Sequence, residues 1–504
     1  MPALRAMDAN LYTLFADHFE EHLDEPFAMV PDGPVLHYAD LAALSARYAH
    51  VLVAAGCKRG DRVAVQTDKY WQVVALYLGC LRAGCVYLPL NTGYQRAELR
   101  FFFDDAEPRL IVCRPEAEST LQPLAPGARI LTLGAAGGSL EEHARELPVL
   151  FPTVTASPDD LAAILYTSGT TGRSKGAMLT HRNLAANALV LVEEWGIVRG
   201  DVLLHALPVY HVHGLFVALH CVLLAAARML WLPRFDAREV TALLPRATLM
   251  MGVPTFYTRL LQEPAFGRDA CRNVRLFISG SAPLLPETFS AFEARTGQCI
   301  LERYGMTETG MNTSNPLDGP RLGGTVGRPL PGVNLRIVAD DGRPCEPGGV
   351  GAIEVKGPNV FDGYWRMPEK TQEEFTPDGY FRTGDMGTWT PERYVKIVGR
   401  AKDLIITGGL NVYPKEIEER IDAIEDVDES AVIGVPDVDF GEAVAAVVVR
   451  KPGTTLTEAG LIAALKAEIA NFKVPKRVIF VKSLPRNAMG KVQKNILRQR
   501  WPLI

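Results

Sequence analysis

Tyr166-Thr-Ser-Gly-Thr-Thr-Gly-Arg-Ser-Lys175-Gly176 brings three glycines, five serine or threonine hydroxyls and one lysine into eleven residues. That is the composition of a phosphate cradle. Glycines let backbone N–H groups come close to an anion, hydroxyls add donors, and the lysine adds a point charge. The preceding apolar run Leu161-Ala-Ala-Ile-Leu165 reads as a buried strand feeding the loop. The P-loop pattern Gly-x-x-x-x-Gly-Lys-Ser/Thr is not met, because Lys175 stands between Ser174 and Gly176, so kinases and ATPases of that class are disfavoured.

Working outward, residues 38–56 carry Leu41, Leu44, Tyr48, Leu52 and Val53 at helical spacing, and 60–65 reads as turn and strand. A second helix over 69–83 and a second strand over 86–90 repeat the pair. Such βα alternation implies an α/β fold with parallel sheet sandwiched by helices. The most apolar stretch, 214–232, is interrupted by His220 and Arg228, too short to span a bilayer, and is expected to be a buried helix. Pro and Gly thicken between 315 and 363 around strand-like runs at 334–338 and 351–355, which predicts a β-rich subdomain. After Gly399-Arg-Ala-Lys-Asp403 a compact α/β module follows, with a helix at 414–422, strands at 430–435 and 443–449, and a helix at 457–471. The expected organisation is a large N-terminal domain of parallel and mixed sheets, 1–399, a hinge at 400–402, and a small mobile C-terminal domain, 403–504.

The 504 residues carry 53 basic and 58 acidic side chains, a net charge of −5, which gives no electrostatic reason to expect nucleic acid or an anionic membrane as partner. Eight scattered cysteines with no C-x-x-C pair argue for reduced thiols rather than disulfides or a zinc site, and no secretory signal is visible. A cytoplasmic location is the expectation.

Four further segments accompany the loop: Ser279-Gly280-Ser281-Ala282-Pro283 after a strand at 274–278, Tyr304-Gly-Met-Thr307-Glu308, Thr383-Gly-Asp385, and Gly399-Arg400-Ala-Lys402-Asp403. Together, in this order, they resemble the adenylate-forming superfamily of acyl-CoA synthetases, luciferases and peptide-synthetase adenylation domains. The resemblance covers essentially the whole chain, although Ser174 replaces the family's usual proline. It implies an ATP site built from Thr167, Ser168, Gly169, Thr170, Thr171, Gly172 and Lys175 at the phosphates, and from Ser279, Gly280, Ser281, Ala282, Glu302 and Tyr304 around the adenine. Thr307 would touch the α-phosphate, Glu308 would hold Mg²⁺, Asp385 and Arg400 would meet the ribose, and Lys402 would be the pivot. Pro485-Arg-Asn-Ala-Met-Gly490-Lys491 looks like the family's terminal lysine motif, with Asn-Ala-Met in place of Thr-x-Ser, and makes Lys491 the candidate catalytic ammonium. Coenzyme A is the implied cosubstrate, with Gly408, Gly409 and Leu410 bordering its thiol arm and Lys473, Lys476 and Arg477 open either to its phosphates or to solvent.

Arg303 stands where the family often has a small residue, directly before Tyr304. A guanidinium in an acyl pocket is costly to desolvate unless it faces an anion, so the implied acid has a second carboxylate. A planar fork suits bidentate pairing with it. Residues 210–216, 253–261, 279–284 and 302–309 together resemble the family's malonate-activating members, and that resemblance implies malonate, with methylmalonate beside it, as the substrate. Arg259 could supply a second positive group, and His211 or His213 of Pro208-Val-Tyr-His-Val-His213 would line the pocket, with His211 favoured. Three other readings stay open. One is a different acyl- or aryl-CoA ligase with Arg303 paired to Glu302 or Asp318. The others are a module that loads a carrier protein and a nucleotide-binding regulator without the reaction.

Overall fold

The structure is a computed structural model that describes residues 8–167, 174–407, 410–437, 441–469, 471–487 and 490–502. Ser168, Gly169, Thr170, Thr171 and Gly172 of the glycine loop, and Gly408 and Gly409, lie outside the described residues.

Two large sheets carry the N-terminal part. In the first, the parallel strands Leu161–Thr167, Val86–Pro89, Arg62–Gln66, Leu110–Cys113 and Arg129–Thr132 lie side by side. Lys175–Thr180 returns antiparallel on Leu161–Thr167, pairing Thr167 with Lys175 across the glycine loop. In the second, Pro26–Met29, Arg228–Trp231, Val202–His205, Leu249–Gly252, Leu276–Ser279 and Leu301–Met306 run parallel, with antiparallel strands at both edges. Most of these strands are apolar and buried on both faces, as parallel strands under crossover helices must be, while Leu301–Met306 carries the polar pair Glu302 and Arg303. The helix Tyr38–Ala54 starts at a His37/Asp40 capping box and buries Leu41, Tyr48 and Leu52. A four-stranded antiparallel sheet, Asn334–Val338, Val350–Lys356, Phe381–Trp389 and Val395–Arg400, is the β-rich part.

The C-terminal sheet joins Leu410–Val412, Ile405–Thr407, Gly441–Arg450 and Val427–Asp437, with Arg477–Val481 parallel on Gly441–Arg450. The helices Pro414–Asp422 and Glu458–Glu468 bury Ile417, Ile421, Leu461 and Leu465 against it.

The reading of 214–232 as one helix needs correction. A π-helical turn, His213–Ala218, leads into a short α-helix, Leu219–Ala225, which stops at a left-handed Ala226 (φ 46°), and Arg228–Trp231 is a strand. Among the described residues, no helix is long and apolar enough to cross a membrane.

Candidate active site

The C-terminal ends of Leu161–Thr167 and Leu301–Met306 meet where Thr167 bonds Glu308, and the hairpin that carries Lys491 approaches the same side of the molecule. This is where open α/β sheets place their ligand crevices. Glu308, buried just beyond the strand Leu301–Met306, accepts hydrogen bonds on Oε1 from the hydroxyls of Thr167 (3.2 Å) and Tyr364 (3.1 Å). Burial pushes its pKa up. The carboxylate with two hydroxyls beside it is a hard-oxygen set of the kind Mg²⁺ takes together with substrate phosphates. Thr307 precedes it in the same turn. Lys175 is buried at the mouth of the glycine loop, its Nζ 3.4 Å from Glu374 and 4.4 Å from the centre of the Tyr364 ring. Neither Glu374 nor Tyr364 stands out in the sequence.

Tyr304 donates its hydroxyl to Asp385 (2.6 Å), and Asp385 also receives Arg400 Nε at 2.7 Å. The two strands that carry them are in register, Asp385 opposite Arg400. Lys402 is exposed in the following turn, Ala401–Asp403, while Asp403 is tied to Arg498 at 2.9 Å. Lys491 faces the same cluster. Its side chain keeps contact with solvent, yet desolvation by the cleft walls, with Arg400 adjacent, pushes its pKa down to about 8. Gly490 lies against Thr255 of the helix Pro254–Gln262, so the terminal lysine hairpin rests on the large sheet's side of the cleft.

Arg303 is 3 % exposed, and its Nε and Nη2 have no hydrogen-bond partner. Burial pushes its pKa down to about 9. Its guanidinium lies on the backbone of Gly280, where a Cβ would stand 2.4 Å from Cζ. Tyr257 is beside it, with its hydroxyl donated to the Ile278 carbonyl at 2.6 Å. Arg303 has no carboxylate partner among the described residues. Glu302 projects from the other face of the strand and accepts from the Gly324 N–H at 3.2 Å, and Arg303 makes no ion pair with Asp318 either. The reading in which Glu302 or Asp318 neutralises Arg303 is therefore not met.

Both histidines adjoin the arginine. His211 is half-buried and held down to about 4 by burial and by Arg303. His213, fully buried and held well below the ordinary histidine range by burial and by Arg303, contacts Ser281 Oγ through Nδ1 at 3.2 Å and leaves Nε2 unpaired. Ser281 has φ 73°, a conformation costly for a residue with a Cβ, and it is what turns that hydroxyl toward His213. Ser279 is buried with an unpaired Oγ, and Ala282 completes the turn. Both histidines therefore stand beside Arg303, which a His-x-His spacing alone could not decide.

Arg259 is a correction. On a helix, residues two apart point about 200° from each other, and Tyr257 takes the face toward Arg303. Arg259 is exposed on the other, with no ion pair among the described residues. The candidate CoA cations are already paired: Lys473 with Glu416 at 2.6 Å, Lys476 with Asp437 at 3.0 Å, and Arg477 with Glu458 at 3.3 Å.

Two consequences can be measured. Gly280→Ala drives a methyl into the guanidinium, so kcat/KM for a dianionic acid is expected to fall by about 100-fold, with a monoacid affected far less. Equal losses for both acids would show that the methyl disturbs only the nucleotide turn. Burial raises the pKa of Glu302 from 4.5 to about 8, against the hydrogen bonds that its carboxyl accepts from backbone N–H groups. The folded state therefore holds a proton that the unfolded chain releases. The stability it contributes is complete below pH 4.5 and drains away as pH rises to about 8. Glu302→Gln is expected to remove that decline, on the order of 1–3 kcal/mol between pH 5 and 8 in denaturant titrations. A wild-type stability that is flat over this window would refute it.

The family described as AMP-binding enzyme matches residues 15–365, and its C-terminal domain family matches 416–491. The mitochondrial malonate–CoA ligase of Mus musculus is 38 % identical over 491 residues, covering 89 % of this chain and 84 % of its own length. The sulfoacetate–CoA ligase of Cupriavidus necator is 36 % identical, covering 96 % of each. The crystal structure of ATP-bound MatB from Rhodopseudomonas palustris superposes with a TM-score of 0.95 at 55 % identity, over 98 % of this chain and 99 % of that one. The family match extends over most of the chain, and this chain belongs to the AMP-binding enzyme family.

Proposed function

We propose that the chain joins malonate, and methylmalonate beside it, to coenzyme A, with ATP going to AMP and pyrophosphate. The carrying observation is Arg303, a buried guanidinium with two unpaired nitrogens. In a pocket of this kind a second carboxylate supplies the missing acceptors. Acetate leaves the charge unpaired, and a fatty acid collides with it. The malonate and sulfoacetate ligases among the relatives both act on acids with two anionic heads, which supports the reading.

In the first half-reaction, one carboxylate oxygen of the acid attacks the α-phosphorus and the bond to pyrophosphate breaks. Tyr304, Asp385 and Arg400 hold the nucleoside, Lys175 and the loop 168–172 hold the phosphates, and Lys491 stabilises charge that develops on the α-phosphate oxygens. That ammonium is worth more in the transition state than in the ground state, which is what catalysis requires. Mg²⁺, held by Glu308, supplies Lewis-acid neutralisation of the phosphates when bound. His211 and His213, kept neutral beside Arg303, line the acid without adding a second positive charge. In the second half-reaction the CoA sulfur attacks the acyl carbonyl and AMP leaves. Residues 403–504 pivot at Lys402 as a unit against 1–399, withdrawing Lys491 and opening a thiol path along 408–410. Lys473 and Arg477 reach CoA phosphates only by exchanging Glu416 and Glu458 for them. All eight cysteines are free, which accords with a reducing compartment, and the cytoplasm is proposed.

The test is AMP release with malonate, methylmalonate, sulfoacetate, succinate, acetate and octanoate, with the thioester identified by mass. Malonate is expected to lead. A monoacid used as well as malonate sinks the assignment of Arg303, and sulfoacetate in first place would keep the anion reader while changing the anion.

A further inference from the structure

Behind the histidine turn lies a second polar cluster that no step above uses. Lys69, from the loop after the strand Arg62–Gln66, crosses to the other sheet and meets three acceptors: His205 Nδ1 at 2.8 Å, the His205 carbonyl at 2.8 Å and the Leu232 carbonyl at 2.7 Å. Its ammonium also sits 4.4 Å from the centre of the Trp231 ring, on which His205 stacks. The cluster contains no carboxylate. His205 is 1 % exposed, and its Nε2 lies 3.0 Å from the Gly214 carbonyl.

A hydrogen-bond inventory assigns the protons. A carbonyl accepts only, so the contact with Gly214 requires a proton on Nε2. Burial and Lys69 hold the imidazole neutral, so Nδ1 is a bare acceptor. Lys69 then donates to all three partners, as an ammonium. Burial lowers its pKa, and the three acceptors hold the proton. Lys69 thereby fixes the tautomer of His205, and His205 fixes the Gly214 carbonyl.

That carbonyl belongs to the π-helical turn His213–Ala218, where it also accepts the Leu219 N–H. A π-turn inserts an extra residue into the helical ladder, is rare, and needs support. Gly214 is tightly placed, since a Cβ would stand 2.1 Å from the Pro208 carbonyl. One residue earlier, His213 is presented to Ser281 and Arg303.

We propose that Lys69 and His205 are positioning residues for the acid pocket, acting through the Gly214 carbonyl on the turn that aims His213 at Arg303. The idea rests on the acid-pocket reading above. Three variants test it: Lys69→Met, His205→Asn and His205→Gln. Glutamine can place an amide N–H where Nε2 was, and asparagine cannot. Lys69→Met and His205→Asn are expected to raise KM for malonate about tenfold with KM for ATP within about twofold, while His205→Gln stays within about threefold of wild type. The proposal is overturned if malonate KM is unchanged in the first two, or if malonate and ATP KM rise together. Should Lys69→Met fail to fold, the two His205 variants decide, and identical behaviour of Asn and Gln overturns the idea. A wild type that prefers another acid refutes the malonate reading alone, because the same KM comparison, run with the preferred acid, still judges the positioning role.

Discussion

Arg303→Ala is expected to lower kcat/KM for malonate by about 10²–10³-fold, the cost of leaving a buried anionic group without its partner, while acetate is unchanged or improved. The companion result concerns stability. In the absence of acid, Arg303 is a buried cation with Nε and Nη2 unsatisfied, and such a charge destabilises the fold that contains it. Arg303→Met, which fills the same volume without charge, is therefore expected to be more stable than wild type by about 1–4 kcal/mol in denaturant titrations without ligand. Malonate should stabilise wild type and leave the variant unmoved. A site retained for structure would behave in the opposite way, with the substitution lowering stability and sparing the choice of acid. Both measurements must agree for the anion-reading role to stand.

Local chemistry was legible where a motif is short and its partners lie in the same motif or on a neighbouring strand. The strand before the glycine loop follows from an apolar run meeting glycines, and the helix Pro414–Asp422 follows from a proline start and apolar residues at 417 and 421. The end of the helix at Ala225 was hidden because almost every residue from 213 to 232 is buried, and a run buried on all sides carries no period to separate helix from strand. Long-range pairing was hidden for a different reason. Lys175 meets Glu374 across 199 residues, and Lys69 meets His205 across 136, so neither pair leaves a local signature. Arg259 attracted attention by charge alone, and only the rotation of its helix, set by Tyr257 packing inward, shows which way it points. Arg303 drew attention because a buried guanidinium is anomalous on energetic grounds, and the structure does bury it with Nε and Nη2 unpaired.

Lys491→Gln is expected to slow formation of the acyl-adenylate by about 10³-fold, the scale seen when one preorganised donor to a developing oxyanion is removed. Its effect on the second half-reaction, started from synthetic malonyl-adenylate and CoA, should stay within about threefold, because the ammonium has by then left the cleft. The hairpin that carries it is held together from within. Asn487 accepts the Lys491 N–H on Oδ1 at 2.9 Å and returns its own N–H to the Lys491 carbonyl at 2.9 Å. Gly490 takes φ 74° between them. The lysine's pKa near 8 adds a pH signature. Only the ammonium stabilises the transition state, so the adenylation rate is expected to fall as pH rises through about 8. Lys491→Arg should flatten that limb, since a guanidinium keeps its proton there, at the cost of a misfit in position. Equal losses in both half-reactions would place Lys491 in the cleft throughout and remove the reason for a pivot at Lys402.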